Sequence, residues 1–183
     1  MSVTSFLLVD GRPLYIQGSQ SAFYTLHNPI EISSDAELAA NAIKGSGNET
    51  DPFILEGWQI DAKDNGYGVY IHNTTKHLIV RNCWITASSS PKDSGIFIKD
   101  VYPGTVTVAN NTVGRCWKGI EIRDINATRI INNTIRLNGA YGIAYYGYYD
   151  YNNNDTSPYT YYASIENNTC IQNFNIGIFV SSI

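Results

Sequence analysis

The residues best suited to chemistry are two aspartates, Asp100 and Asp124, which occupy the same position in two copies of a short repeated motif. If the two copies stack as parallel strands, their backbones lie roughly 4.8 Å apart. The two carboxylates then approach the separation of roughly 5 Å that retaining glycosidases use. Glu121, Lys99 and Arg123 are close by in the chain. The pattern predicts a polysaccharide-cleaving site with Asp100, Asp124 and Glu121 as candidate catalytic residues.

The same aspartates have a structural interpretation. An aspartate at a strand end commonly begins a turn by bonding to its own backbone, and Lys99 and Arg123 would neutralise its charge. We therefore expect a non-catalytic protein. The alternative is a glycoside hydrolase or lyase that carries these carboxylates on its outer face.

A metal site needs His, Cys or Met side chains that converge, and neither the histidines nor the single methionine predicts one. His72 and His77 lie on opposite sides of a turn, where we interpret them as a solvated pair. The cysteines are odd in number and lack the paired short spacing of a zinc site, which favours buried apolar side chains. No metal and no cofactor is predicted. The residues concerned are His27, His72, His77, Met1, Cys83, Cys116 and Cys170.

The composition narrows the class of partner. The 12 basic and 16 acidic side chains give a net charge of −4 and the basic residues do not cluster, which disfavours nucleic acid. No membrane span and no signal peptide is visible. Seven glycosylation sequons fall mostly within the repeat, where asparagine recurs for structural reasons, so they are weak evidence of secretion. They begin at Asn48, Asn73, Asn110, Asn126, Asn132, Asn154 and Asn167.

Two motifs alternate along the chain with a period of roughly 22 to 28 residues. The first begins with glycine, at Gly68, Gly95, Gly119, Gly142 and Gly177. Its second and fourth residues are apolar and are expected to face a core, as alternate residues of a strand do. Its third residue is expected to point outward. These third residues are Tyr70, Phe97, Glu121, Ala144 and Phe179.

The second motif covers 80–85, 108–113, 130–135 and 165–170 and carries an asparagine at its third residue. Asparagine tolerates the left-handed backbone of a bend, and its amide can bond to the asparagine of the next coil. We expect a structural ladder of such amides, and we expect the recurring glycines to relax the backbone at a second corner. The predicted ladder consists of Asn82, Asn110, Asn132 and Asn167.

So short a repeat cannot close its own core and must stack on its neighbours. A propeller blade would need about 40 residues, and a β-sandwich would not repeat glycine and asparagine at matched offsets. The pattern predicts an all-β protein, a right-handed single-stranded parallel β-helix, over residues 28–183. Residues 1–27 are predicted to form an N-terminal extension with a hairpin around Asp10-Gly11.

The two ends of the predicted solenoid differ. Ser34 and Glu37 have capping-box spacing and predict a helix at about residues 34–44 that plugs the N-terminal end of the apolar column. No comparable cap follows Gly177. An uncapped coil presents strand edges that invite pairing with another chain. We therefore expect a homo-oligomer or filament that forms through the C-terminal coil.

A tyrosine-rich insertion at about residues 145–162 lengthens one coil. Clustered tyrosines suit stacking on sugar rings or a protein interface, and they equally suit a loop that buries its own rings. The outward aromatic residues of the first motif have the same two uses. The ligand or interface candidates are Tyr70, Phe97, Phe179, Tyr145, Tyr146, Tyr148, Tyr149, Tyr151, Tyr159, Tyr161 and Tyr162.

The stretches 51–60, 68–74 and 77–85 resemble the NosD-like proteins, part of the carbohydrate-binding and sugar-hydrolase superfamily of parallel β-helices, in the form found in archaeal surface proteins. The resemblance covers about residues 28–180. It implies the β-helix fold and allows several functions: a cell-surface protein, a polysaccharide-processing enzyme or an accessory factor for copper-enzyme maturation. We expect an extracellular or cell-surface scaffold that assembles with itself, binds glycan, or does both.

Overall fold

The computed structural model describes residues 7–9, 12–14, 24–63, 65–87, 93–125, 127–147 and 163–182. Two short strands, β1 (Leu7–Val9) and β2 (Arg12–Leu14), pair antiparallel where the sequence predicts a hairpin. From Thr25 onward the chain winds through coils of short strands that pair in parallel with their counterparts in neighbouring coils. This arrangement confirms the predicted right-handed parallel β-helix.

The first coil contains β3 (Thr25–His27), β4 (Ile30–Ile32), α1 (Asp35–Asn41) and β5 (Phe53–Glu56). The second contains β6 (Trp58–Asp61), β7 (Tyr67–Ile71) and β8 (Leu78–Arg81), and the third β9 (Trp84–Thr86), β10 (Ser94–Lys99) and β11 (Val106–Ala109). The fourth contains β12 (Thr112–Gly114), β13 (Lys118–Arg123) and β14 (Arg129–Ile131). The fifth contains β15 (Thr134–Arg136), β16 (Tyr141–Gly147) and β17 (Ser164–Glu166), and the last described coil β18 (Thr169–Ile171) and β19 (Ile176–Ser182).

Three parallel sheets run the length of this stack. The first sheet is β3-β6-β9-β12-β15-β18, the second is β4-β7-β10-β13-β16-β19, and the third is β5-β8-β11-β14-β17. The glycine-led motif forms the second sheet. The asparagine-containing motif spans the corner between the third sheet and the first.

The core is a column of side chains that repeats from coil to coil. Val69, Ile96, Ile120 and Ile143 lie opposite one another in register and are fully buried. The alternation of inward and outward residues therefore places the apolar positions as predicted. In the second sheet the outward row has an exception, because Glu121 and Ala144 are buried although they face away from the column.

The recurring glycines are required because a side chain at these positions would collide with the neighbouring coil. The expectation that they relax the backbone dihedrals at a corner is wrong. None of Gly68, Gly95, Gly119 and Gly142 has a positive φ. A Cβ on Gly119 would lie 2.5 Å from a methyl of Ile135 and 2.6 Å from the carbonyl oxygen of Gly142. Such distances are far inside van der Waals contact, so the coils can stack this closely only where the side chain is absent.

The asparagine ladder also needs a correction. Asn82, Asn110, Asn132 and Asn167 do adopt the left-handed backbone, with φ between 51° and 57°, but they are exposed. The stacked amides belong to the residues that follow them. Asn111 donates its amide to Asn133 at 3.0 Å and Asn133 donates to Asn168 at 2.9 Å, while Asn111 and Asn133 are buried. The ladder therefore consists of Asn111, Asn133 and Asn168. At the next corner a shorter ladder is formed by Asn138, which donates its amide to Asn173.

The helix α1 closes part of the first coil. Ser34 caps it by accepting from the backbone N–H of Glu37, and Glu37 in turn accepts from the backbone N–H and hydroxyl of Ser33. Leu38 is fully buried in the core. The helix ends at Asn41, earlier than the predicted end near residue 44. Within the described ranges, no helix has the length and apolar character needed to cross a membrane.

Candidate functional site

The outer face of the second sheet carries a continuous row of rings and charges. Tyr70 stacks on Phe97 with ring centroids 4.8 Å apart and an angle of 8° between the ring planes, and His72 stacks on Tyr70 at 4.5 Å. The guanidinium of Arg123 lies 5.8 Å from the Phe97 ring and 5.1 Å from the Tyr146 ring. The faces of Tyr70 and Phe97 are therefore already in contact with protein groups.

Glu121 lies within this row as a buried carboxylate. It accepts hydrogen bonds from Lys118 at 2.5 Å, from Arg123 at 2.6 Å and from the Ser94 hydroxyl at 2.6 Å. Burial by itself raises the pKa of Glu121, but the bonds from Lys118, Ser94 and Arg123 and the charge of Lys118 outweigh it, so the pKa lies below its ordinary value. A carboxyl group held ionised in this way suits structural pairing better than proton donation to a leaving group.

Asp100 and Asp124 lie at equivalent bends in neighbouring coils, as their offsets predict. Both have left-handed backbones, with φ of 50° and 55°, as has Asn73 one coil earlier with 53°. The carbonyl of Asp100 accepts from the backbone N–H of Asn73, and Lys99 lies 3.5 Å from the Asp100 carboxylate. Both side chains are exposed. Their geometry is that of turn residues, and the catalytic assignment of these carboxylates stays a prediction.

Glu31 is a second carboxylate on the same outward row, and sequence reasoning missed it because β4 lacks the leading glycine. It pairs in register with Tyr70. It accepts from the Tyr67 hydroxyl at 2.8 Å and lies 3.0 Å from Nε2 of His72. These two contacts lower the pKa of Glu31, the Tyr67 bond most. His72 thus has a carboxylate partner, which the interpretation of His72 and His77 as a solvated pair did not include.

Apart from Tyr70, which stacks on Phe97, the tyrosine candidates separate into three groups. Tyr145 is a core residue, which removes it from the surface candidates: it is buried and donates its hydroxyl to the carbonyl of Ile125 at 2.5 Å. Tyr146 and Tyr141 lie on the outer face of the second sheet and contact Phe179. The remaining candidates lie outside the described residues and are Tyr148, Tyr149, Tyr151, Tyr159, Tyr161 and Tyr162.

A groove on the first sheet was not predicted from the sequence. It encloses about 330 Å³ and is lined by Gln59, Trp84, Thr112, Gly114, Arg115 and Arg136, among others. A second recess of about 450 Å³ shares Gln59 and Thr86 with it and continues toward the first coil. The sequence feature that could have indicated this groove is Trp84, which takes the outward position held by Thr112 and Thr134 in the next two coils.

The last described coil exposes residues that elsewhere form the core. Ile178 and Val180 are in register with Ile143 and Tyr145, yet they are 43% and 61% exposed. Phe174 is 89% exposed. The three terminal strands β17, β18 and β19 are each the end of their sheet. Among the described residues no group of three or more His, Cys, Asp or Glu side chains is arranged to hold a metal ion.

Comparison with known proteins agrees with this architecture. No match to a curated protein or to a solved structure was found. Residues 42–182 match the family model described as the right-handed beta helix region. The fold is compatible with glycan binding and with polysaccharide-degrading enzymes, and the narrower NosD-like resemblance stays a prediction. Since the family model covers most of the chain, which winds through three parallel sheets, the protein belongs to the right-handed β-helix family.

Proposed function

We propose that the chain is a non-catalytic, extracellular β-helix scaffold that associates with itself through its last coil. The observation that carries this proposal is the exposure of Ile178 and Val180 at 43% and 61%, whereas Ile143 and Tyr145 in the same inward rows are at 0% and 5%. Exposed apolar side chains in a contiguous patch characterise interaction surfaces.

The charge of this coil supports contact between two like surfaces. Between residues 163 and 182 the only charged side chain is Glu166. Natural sheets commonly protect an edge strand with charged residues or proline, and β17, β18 and β19 have almost none of this protection. Two copies that meet through this face also bring few like charges together.

The second copy is proposed to meet the first through the same face. The opposite end of the stack carries α1, with Leu38 buried in the core and Asp35 and Glu37 in its first turn. That end is therefore a poor receptor for an apolar coil. A two-fold contact places β19 of one copy antiparallel beside β19 of the other, so that the interface closes and no filament grows.

The test is the mass of the protein in solution. We expect size-exclusion chromatography with light scattering to give twice the mass of one chain. Val180→Lys should yield a monomer, because the ammonium group would be buried between the copies. In a single chain Val180 is mostly exposed, so the substitution leaves the fold intact. Leu26→Lys, at an apolar residue of the first coil that is 78% exposed, is the matched control and should keep the dimer.

Two results would contradict this function. A wild-type chain that stays monomeric at high concentration removes the proposed contact. Loss of assembly in both Val180→Lys and Leu26→Lys would show head-to-tail stacking instead of a two-fold dimer. The enzyme alternative receives less support, because Asp100 and Asp124 are turn residues and Glu121 is held ionised. It would regain support if Asp100→Asn or Asp124→Asn abolished an activity found in a glycan-cleavage screen.

A further inference from the structure

The groove on the first sheet is lined in part by an exposed aromatic ring. Trp84 is 38% exposed, and its ring is supported from one side by Tyr24 at 6.0 Å between centroids. The residues at the same outward position in the next two coils are threonines, Thr112 and Thr134. A tryptophan that interrupts a polar row presents a flat apolar surface of the size of a sugar ring.

Two unpaired guanidinium groups lie beside this ring. Arg115 and Arg136 both line the groove and are exposed, and their backbones are joined by a hydrogen bond of 3.2 Å. Neither forms an ion pair in the part of the chain that the structure describes, whereas Arg81 and Arg123 each pair with a glutamate. The groove thus concentrates positive charge in a chain of net charge −4.

Arg115 lies at the corner that follows the first sheet, where the backbone is left-handed in successive coils: φ is 60° at Arg115, 59° at Leu137 and 54° at Gln172. This conformation belongs to the corner and not to the arginine, so only the side chain distinguishes Arg115 from its equivalents. A guanidinium binds carboxylate or sulfate oxygens in pairs of hydrogen bonds.

The shape of the groove indicates the form of the ligand. Gly114 lies in register between Thr86 and Arg136, and a Cβ there would lie 2.6 Å from the carbonyl oxygen of Arg136, so glycine allows the two coils to stack closely at the base of the groove. Gln59 and Thr112 offer hydrogen-bonding groups at the walls. The recess that shares Gln59 and Thr86 is also lined by Asp61, whose carboxylate disfavours an anion, so the part of the groove beside the two arginines is the part that suits a charged sugar. We propose that this groove binds an anionic saccharide chain, with one ring stacked on Trp84 and its carboxylate or sulfate held by Arg115 and Arg136.

The experiment is calorimetric titration of the full chain with three tetrasaccharides: oligogalacturonate, which is carboxylated; a heparin fragment, which is sulfated; and cellotetraose, which is neutral. At least one anionic probe should bind, and cellotetraose should bind at least about tenfold more weakly. The tighter of the two anionic probes identifies the charged group. Arg136→Gln and Arg115→Asn should each weaken that binding about tenfold, and Trp84→Thr should weaken it about fivefold.

The substitutions are chosen to preserve the fold, which thermal unfolding will verify. Asparagine suits the backbone of residue 115, and threonine already occupies the position of Trp84 in two other coils. Arg129→Gln and Trp117→Thr are the matched controls, because these side chains are exposed outside the groove, and both should leave binding unchanged.

Several outcomes would overturn the assignment. Binding of none of the three probes would do so, as would equal affinity for cellotetraose. An equal loss in Arg129→Gln would show unspecific attraction by the whole surface. A polyglutamate peptide that binds more tightly than both anionic saccharides would identify an acidic polypeptide as the ligand class.

Discussion

Two adjacent asparagines in each corner have different roles. Asn132 takes the left-handed backbone of the bend, with φ of 57°, and its side chain is exposed. Asn133 is buried and bonds in both directions along the stack: it accepts from the backbone and amide of Asn111 and donates to the carbonyl of Val108 and to Asn168. The bend thus depends on the first asparagine and the cohesion between coils on the second.

Asn133→Ala should therefore destabilise the protein by about 3 kcal/mol, because it leaves the buried Asn111 and the partly buried Asn168 without their bonds. Asn132→Gly should cost less than about 1 kcal/mol, because glycine adopts the same backbone readily. Urea unfolding followed by circular dichroism measures both. Equal losses in the two variants would show that the buried ladder has no special weight.

Glu121 should contribute to the acid sensitivity of the protein. Its folded-state pKa lies below its ordinary value of 4.5, so its contribution is complete above that value and is lost as the pH falls through the folded-state pKa. At pH 7, Glu121→Gln should cost about 3 kcal/mol, because it leaves Lys118, whose side chain is only 12% exposed, without its charged partner. It should also flatten the fall in stability between pH 5 and lower values.

The measurement is the free energy of unfolding across this range of pH. Glu49→Gln, a change at an exposed carboxylate, serves as the control and should keep the wild-type dependence. A pH profile of Glu121→Gln that parallels the wild type would contradict a stabilising ionised Glu121.

The limits of sequence reasoning at this scale are physical. The repeat shows that asparagine belongs at the corner, but asparagine recurs at the positions of both Asn132 and Asn133. Only the direction of each side chain in the structure tells which of the two forms the buried ladder. Glu121 was correctly assigned to the outward row, and its burial was missed because it depends on Lys118, Arg123 and Ser94 folding over it from neighbouring positions.

At the scale of elements, the glycine column sets how closely the coils stack. A Cβ on Gly119 would meet both Ile135 and the Gly142 carbonyl at 2.6 Å or less. On Gly177, in the last described coil, the nearest atom would be the Cβ of Cys170 at 3.3 Å. The column therefore offers a matched pair of positions that differ in whether another coil lies beyond them.

Gly119→Ala should destabilise the fold by about 3 kcal/mol, since the backbone of the next coil must move. Gly177→Ala should change the stability by less than about 1 kcal/mol. Denaturant unfolding of the two variants, at a concentration where the chain is monomeric, provides the comparison. The explanation by close stacking would be wrong if Gly119→Ala were as stable as the wild type.

The strands could be predicted because their pattern lies within a short stretch of sequence, whereas the groove depends on contacts between coils. A period of two within each strand marks which residues face the core, and the repeat assigns each strand to a sheet. Neighbours across the outer face depend on register between coils. Trp84, Arg115 and Arg136 are separated along the chain and meet only because β9, β12 and β15 are adjacent.

At the scale of the whole molecule, the two ends of the described stack are unequal. The first coil is closed in part by α1, while the last exposes inward-facing side chains and the edges of three strands. In a solenoid each coil is stabilised mainly by its neighbours. The last coil has one neighbour within the described residues, so it should be the least stable part of an isolated chain and should gain most from a second copy.

This difference predicts that stability depends on concentration. A dimer that forms through the last coil is favoured by mass action, so the thermal midpoint of the wild type should rise with protein concentration. Val180→Lys should remove the dependence, and Leu26→Lys should keep it. Scanning calorimetry over a hundredfold range of concentration measures the three proteins. A wild-type midpoint that does not change with concentration would mean that the folded chain gains nothing from its own copies, and the exposed coil would then need a different partner.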